Sequence, residues 1–464
     1  MRRPARRPRI QLRDRKLTDV ILREGQRVRL FDILPAGVSQ STAMAEAASK
    51  SQKLKNALNL RAGPLSLVYE GSTLVLQITG IVGSLRLFGV RVEILPKFGD
   101  DRSWHDNVMM LLARAHGAKF DLQELRGTDR DRLSFVDHVA QAFSTALDAG
   151  LLDGPIETYR DIMYRAPVAK GRIDISRTVT AALCSPGTIV SWTSELDADN
   201  PYNRVLHAAA DILLRLVTNR DVRAALQRSR DELPPLPQGL PPPVRWPDRP
   251  PLQFVGYAEA LEIASAVLQG RDWGIGPAAS TAFGYVVGME KLFEKFVESS
   301  LRQAVKLLPL SLEASARSQA RTLFAQPETP GRKAYFTTPD NVVDVGGRPT
   351  IIVDAKYKRF ADAETGDARR PSNADVYQMF ASMAAQGCRV ALLIYPSSVD
   401  LAGPPPTWRM KVGKEDAFVV AAGIPISDLR TSADLNSVDL ALAQQCLHLL
   451  TLVNEYDGAP VNVA

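Results

Sequence analysis

Pro339-Asp340-Asn341-Val342-Val343-Asp344-Val345-Gly346-Gly347-Arg348-Pro349-Thr350-Ile351-Ile352-Val353-Asp354-Ala355-Lys356 is the stretch that decides the fold. Two short runs, Asn341–Val345 and Thr350–Lys356, are rich in branched residues and flank a Gly-Gly pair, which is the pattern of a β-hairpin. With residues 346–349 as the loop, Val345 pairs with Thr350 and Asp340 lands within a residue of Asp354. Side chains two apart on a strand share a face, so Asp354 and Lys356 point the same way. Two carboxylates and an ammonium then meet at one end of the hairpin. The apolar run Ile351-Ile352-Val353 anchors the strand in a core and holds the site on a rigid element.

Two adjacent carboxylates repel each other unless a cation lies between them. Hard oxygen donors, completed by water or phosphate, suit Mg²⁺ or Mn²⁺. Such an ion polarises a phosphodiester and acidifies a bound water. Lys356 is placed to orient that water or to stabilise charge in the transition state. Upstream, Met289–Val297 reads as a helix whose core stripe is Leu292, Phe293, Phe296 and Val297; Glu294 sits beside that stripe as a further metal ligand. Downstream, Asp375-Val376-Tyr377-Gln378-Met379 opens another helix. Gln378 suits a phosphate or the attacking water, and Tyr377 suits the wall of a groove. Each element has a plain alternative. A bare Asp-x-Lys is common, Glu294 pairs in solvent with Lys291 or Lys295, Gln378 is a surface amide, and Asp344 rivals Asp340 although it lies nearer the turn. The ordered set carries the weight, not any one member.

Further from the hairpin, Tyr257–Leu268, Glu290–Leu308, Ala374–Ala385 and Val438–Val453 read as helices, and Val390–Tyr395 and Ala417–Ala422 as strands. Helices interleaved with strands in this order make a mixed sheet flanked by helices, an α/β (α+β) arrangement. The N-terminal half differs. A helix is expected over Ser41–Leu58. Leu65–Glu70, Thr73–Ile78 and Leu85–Leu95, punctuated by Gly71, Gly80, Gly83 and Gly89, suggest a small antiparallel β unit. Residues 104–150 turn helical, and Asn203–Leu226 is an amphipathic helix. Nine of the chain's 31 prolines then fall between Pro234 and Pro251. No regular helix or central strand survives that density, so an extended connector is expected. The resulting division is 1–63 basic tail and extension, 64–190 N-terminal domain, 191–270 helical connector with the Pro-rich loop 234–251, and 271–464 the domain of the hairpin.

The chain has 464 residues, too many for one core, with 45% hydrophobic and 23% charged residues. Its net charge of +6 permits a polyanionic partner without demanding one. Arg2, Arg3, Arg6, Arg7, Arg9, Arg13, Arg15 and Lys16 oppose only Asp14; this block reads as a solvated, mobile tail in preference to a nucleic-acid arm. No apolar segment follows it and no run reaches 18 apolar residues, so neither a secretory signal nor a membrane span is expected. Cys184, Cys388 and Cys446 are scattered, with no CxxC or HExxH. Structural zinc and a disulfide framework are not expected, and a cytoplasmic location fits. There is no P-loop: Gly413-Lys414 is followed by Glu415, so any nucleotide-driven step belongs to another subunit.

The ordered set resembles the McrC family, the nuclease subunits of McrBC-type restriction systems within the PD-(D/E)xK superfamily. The likeness rests on Leu292-Phe293-Glu294, Pro339-Asp340, Asp354-Ala355-Lys356-Tyr357-Lys358 and Asp375-x-Tyr377-Gln378-Met379. Upstream, Leu95-Pro96-Lys97, Lys170-Gly171-Arg172-Ile173-Asp174 and Asp199-Asn200-Pro201-Tyr202-Asn203-Arg204 are similar to family stretches in the same order. The resemblance implies a PD-(D/E)xK nuclease fold after an N-terminal part that engages an AAA+ GTPase resembling McrB. It implies metal-facing acids at Glu294, Asp340 and Asp354, a catalytic lysine at Lys356, an accessory role for Gln378, Mg²⁺ as cofactor and DNA as substrate. The basic tail, residues 17–63 and the dense proline cluster depart from that pattern. Two other functions stay open: a non-catalytic adaptor that activates the NTPase, and a stand-alone Mg²⁺ nuclease.

Overall fold

The computed structural model describes residues 9–13, 16–99, 104–116, 135–217, 219–235, 250–269, 285–317, 321–325, 333–358, 371–396, 405–412 and 415–457. The first eight residues of the basic tail, prolines 237–247 and Gly413-Lys414 lie outside the described residues. The chain forms two compact units: residues 1–135 with 270–464, and residues 136–269.

The larger unit begins with β1 (Arg9–Arg13), β2 (Lys16–Arg23) and β3 (Arg27–Arg29), then α1 (Leu30–Ile33) and α2 (Gln40–Ala57). The tail is therefore not wholly a solvated arm, because residues 9–13 pair antiparallel with β2. Next come β4 (Leu65–Glu70), β5 (Thr73–Ile78), β6 (Ile81–Leu87), β7 (Val90–Leu95) and α3 (Trp104–His116). The expected single run 85–95 is a hairpin, turning at Phe88-Gly89, where both residues have positive φ. The unit is also not purely antiparallel, since β2 joins β7 in parallel. Its core gathers Val20, Leu22, Leu76, Ile81, Val92 and Ile94 with Ala43, Ala47 and Leu54 of α2. Ser39 caps α2, its Oγ accepting from Thr42 N at 3.1 Å.

The smaller unit comprises α4 (Phe135–Leu151), β8 (Thr158–Ala166), β9 (Arg172–Ile173), α5 (Ile175–Cys184), β10 (Ile189–Asp197), α6 (Pro201–Leu216), α7 (Arg220–Asp231) and α8 (Ala258–Gln269). The helix expected over 203–226 is in fact two, because Asn219 starts a new one: its Oδ1 accepts from Asp221 N and Val222 N. The two family-like stretches here have structural explanations. Asn200 caps α6 by accepting from Asn203 N at 3.0 Å, Pro201 fills the first turn, and Arg204 grips Asp199 with two hydrogen bonds. Gly171 has φ +82°, and a Cβ there would fall 2.3 Å from Trp192 O. Asp174 then caps α5 and accepts from the Trp192 indole at 3.2 Å.

The chain re-enters the larger unit at β11 (Tyr285–Gly288), which adds to the edge of the first sheet beside β6. It continues directly into α9 (Met289–Ala304), and Met289 N donates to Gly80 O at 3.0 Å. There follow β12 (Ser315–Arg317), β13 (Arg321–Ala325), β14 (Lys333–Thr337), β15 (Asn341–Val345), β16 (Arg348–Ala355), α10 (Asn373–Gln386), β17 (Val390–Pro396), β18 (Thr407–Val412), β19 (Glu415–Ile424) and α11 (Ser432–Asp457). The expected mixed sheet is present, in the order β12-β15-β16-β17-β19-β18, with β16-β17-β19 parallel. One face packs on α10 through Ile352, Met379, Met383 and Leu393. Ile351 and Val353 point the other way and are fully buried, with α9 and α11 in contact with β16. Strands β12, β13, β14 and β18 were not expected. Among the described residues no helix is long and apolar enough to cross a membrane.

Candidate metal and nucleic-acid site

The hairpin β15–β16 turns more tightly than its sequence suggests. Gly346 and Gly347 alone form the turn, both with positive φ, and Val345 pairs with Arg348. An unbroken ladder from that turn would set Asp340 opposite Val353, on the wrong face. A bulge intervenes: Asp344 pairs with Pro349 but Val343 pairs with Ile351. Continuing from the Asn341–Val353 pair, Asp340 then stands opposite Asp354. Its Oδ2 accepts from Ala355 N at 2.8 Å, locking the carboxylate to the strand end. Asp344 is excluded from the site because its carboxylate is taken by Arg317.

Asp354 is 1% exposed; among the described residues neither carboxylate oxygen has a hydrogen-bond partner of good geometry, and its ion-pair partner is the Lys356 ammonium. Lys356 also donates to Gln378 Oε1 at 2.9 Å, which brings the expected accessory residue in from α10. Tyr377 is exposed beside it. Burial pushes the Asp340 carboxyl up to about 7, helped by the charges of Asp354 and Glu294. Burial also raises Asp354, with Lys356 opposing. Asp354 and Asp340 are thus two acids that resist sharing negative charge in a dry place.

Glu294 lies close enough to feel Asp354 and Lys356. Burial raises its carboxyl, and the Arg61 guanidinium, 3.6 Å away, pulls it back. Among the described residues no three His, Cys, Asp or Glu side chains close tightly enough to hold an ion by themselves. The structure therefore brings together Asp340, Asp354, Lys356 and Gln378, with Glu294 at the side, held by Arg61. This donor set still fits Mg²⁺, which is usually held by one or two carboxylates and completed by waters and phosphate oxygens. The observation in its favour is that two buried acids, Asp340 and Asp354, are met by a single ammonium, Lys356, among the described residues, so a divalent cation would relieve a charge that one lysine leaves unbalanced.

Two groups of residues beside the site had been given no role from the sequence. Asp375 is buried next to Asp354, but Lys358 at 2.5 Å and the Tyr395 hydroxyl at 3.0 Å use its carboxylate, while its backbone N donates to Ser372 Oγ at 3.3 Å. Although burial opposes them, these contacts hold its carboxyl below the usual range, so it serves as an anion already satisfied. The second group comes from the N-terminal sheet. Lys97 Nζ donates to Tyr357 O at 2.7 Å and stands 4.1 Å from the centre of the Tyr357 ring. Tyr357 Oη donates to Glu24 Oε2 at 3.1 Å, and Glu24 Oε1 accepts from Gly80 N at 3.0 Å. The Leu95-Pro96-Lys97 stretch thus clamps the residue that follows Lys356.

The family model for the McrBC 5-methylcytosine restriction system component matches residues 76–396, more than two thirds of the chain. The chain belongs to the McrBC family. A solved structure from Thermococcus gammatolerans, a half-complex from a tetradecameric assembly of McrB AAA+ hexamers with bound McrC, contains a chain of similar fold. The TM-score is 0.61 at 20% identity, over 92% of this McrBC-family chain and 100% of that one. A cryo-EM structure of the Thermococcus gammatolerans McrBC complex matches at TM-score 0.45 and 20% identity, over 62% of this chain and 88% of that one. No curated protein sequence matches. The matched span of the family model includes Lys97 as well as Asp340, Asp354, Lys356 and Gln378, so the clamp and the carboxylate pair both fall within it.

Proposed function

We infer that this McrBC-family chain is a Mg²⁺-dependent DNA endonuclease subunit that works with, and stimulates, an AAA+ GTPase partner of the McrB kind. The observation that carries the nuclease reading is the buried Asp354 carboxylate, opposite Asp340, with the Lys356 ammonium as its ion-pair partner among the described residues. Asp340 and Asp354 would hold the ion, with Glu294 as a third oxygen source once it leaves Arg61. When bound, Mg²⁺ supplies Lewis acidity toward a phosphodiester and a more acidic water. The chain's residues do the rest. Lys356 would present its ammonium to charge that develops on the phosphate. Gln378 Oε1 fixes the direction of that ammonium. The β16 strand, pinned by Ile351, Ile352 and Val353, keeps Lys356 at a constant distance from the acids, and α10 brings Gln378 to it.

Support for a protein partner comes from the smaller unit and from the solved structure of similar fold, which is an assembly of McrB AAA+ hexamers with bound McrC. Helix α5 buries none of its residues and shows Ile175, Val179 and Leu183 to solvent at four-residue spacing. An apolar stripe of this kind is a protein-contact surface. The sequence supplies no P-loop, so hydrolysis of nucleotide falls to the partner.

The test is Asp354→Ala in the full chain, assayed on supercoiled plasmid with Mg²⁺ and the cognate GTPase. Cleavage falls by at least about 100-fold, the scale on which transition-state charge stabilisation acts. Co-elution with the GTPase and stimulation of its turnover persist. Wild-type cleavage by the mutant removes the nuclease site. A wild-type chain that stimulates the GTPase but never cuts leaves the adaptor function.

A further inference from the structure

Arg61 carries no motif and lies far in sequence from every acid, in the connection between α2 and β4. Its place is nonetheless well determined. Leu58 is buried, and Leu60 packs against the same core, so the chain is anchored on both sides of Arg61. Leu60 also lies against Gly288, within 3.3 Å of where a Cβ would stand, and Gly288 is the N-cap of α9. This shared anchor brings Arg61 to Glu294, a turn and a half into the helix. The guanidinium meets Glu294 Oε1 at 3.6 Å while the side chain stays 82% exposed. Its charge is also felt at Asp354.

An exposed ion pair of that length adds little to stability, so the fold gives no reason for this arginine. The charge balance does. Three ionised carboxylates, one ammonium and one divalent ion leave the site neutral, with no net attraction for a phosphodiester. Arg61 leaves the loaded site with one positive charge, opposite to that of its substrate. Its planar fork matches two nonbridging oxygens of a phosphate, which a carboxylate only imitates.

We propose that Arg61 is a phosphate-binding residue that receives the DNA backbone at the mouth of the carboxylate site, Glu294 being its stand-in partner before DNA arrives. The proposal rests on the nuclease reading, and it has a signature that mere structural support lacks. Removing a cation from the site should weaken DNA binding and strengthen metal binding, two effects of opposite sign.

Full-length wild type, Arg61→Ala, Arg61→Lys and Asp354→Ala are compared in two measurements. Fluorescence anisotropy with a labelled 30-base-pair duplex, in Ca²⁺ and a series of KCl concentrations, reads DNA affinity and its salt slope. Calorimetric titration with Mn²⁺, without DNA, reads the metal. Arg61→Ala lowers DNA affinity about 5- to 10-fold and reduces the salt slope by about one, as the loss of one phosphate contact requires. It raises Mn²⁺ affinity about 2- to 5-fold, because one repelling charge has gone. Arg61→Lys, which keeps the charge but not the fork, restores the slope and only part of the affinity. An unchanged slope in Arg61→Ala overturns the proposal, and so does a parallel fall in DNA and Mn²⁺ affinity. Mn²⁺ binding that Asp354→Ala leaves intact overturns the nuclease reading instead, and the DNA slope still decides the case of Arg61.

Discussion

Replacing Asp340 by Asn should stabilise the metal-free protein while destroying its response to metal. Burial and the charges of Asp354 and Glu294 push the Asp340 carboxyl up to about 7 from an ordinary 3.8. An acid whose folded value is raised contributes stability below its unfolded value and loses it as pH climbs through the folded one. At pH 8 the folded state carries a charge that the unfolded state bears more easily. The difference, about three pH units, amounts to about 4 kcal/mol. At pH 5 Asp340 is protonated in the fold but mostly ionised when unfolded, and the penalty is under about 2 kcal/mol. Asn removes it and keeps an acceptor for the hydrogen bond from Ala355 N. Thermal melts in EDTA should show Asp340→Asn above wild type by at least about 3 °C at pH 8, with the gap narrowing toward pH 5. Adding Mg²⁺ should raise the wild type and leave the mutant unmoved. A mutant that melts below wild type at pH 8, or a gap independent of pH, refutes the view that repelling carboxylates are stored here for a cation.

Lys97→Met breaks the contacts to Glu24 and Tyr357 O, and should cost about 2–4 kcal/mol in urea denaturation because a buried carboxylate loses its cation. It should also lower the cleavage rate at saturating DNA while DNA affinity holds, since the displaced strand end carries Lys356. Arg114→Met strands the Asp439 carboxylate, already raised by burial, between α3 and α11. The expected loss is about 3 kcal/mol at pH 8. It shrinks as pH falls through the raised value and the acid takes up a proton, and denaturation at pH 8 and pH 5 measures both.

What the sequence disclosed, and what it hid, follows the range of the interactions. The pair Asp354 and Lys356 was legible because strand alternation is a two-residue rule. Asp340 was legible only to within a residue, since the bulge at Val343–Asp344 leaves no clear mark in the residues. Strand β2 was hidden because Lys16-Leu17-Thr18-Asp19 reads as the end of a charged tail, and the parallel partner that makes it a strand lies some seventy residues on. Glu24 looks like a surface acid in sequence; Tyr357, Lys97 and Gly80 N make it a buried one. Arg61 had no local signal at all, because its neighbour Glu294 is reached only after β11 closes the first sheet.

That closure is what makes the carboxylate pair sustainable. Acids raised by burial and mutual repulsion would relax by moving apart if their strands were free to shift. Asp340 is held by Ala355 N, β16 by its pairing with β17, and the chain after Lys356 by Lys97 and Glu24 from a different sheet. Because α9 grows directly out of β11 in that same sheet, Glu294 is referred to the same frame. The N-terminal sheet therefore sets the geometry of the site from both sides, through Tyr357 and through Glu294. A partner that shifted this sheet would alter the spacing of the acids without touching them, so the clamp at Lys97 is where any coupling between partner engagement and cleavage should be measurable.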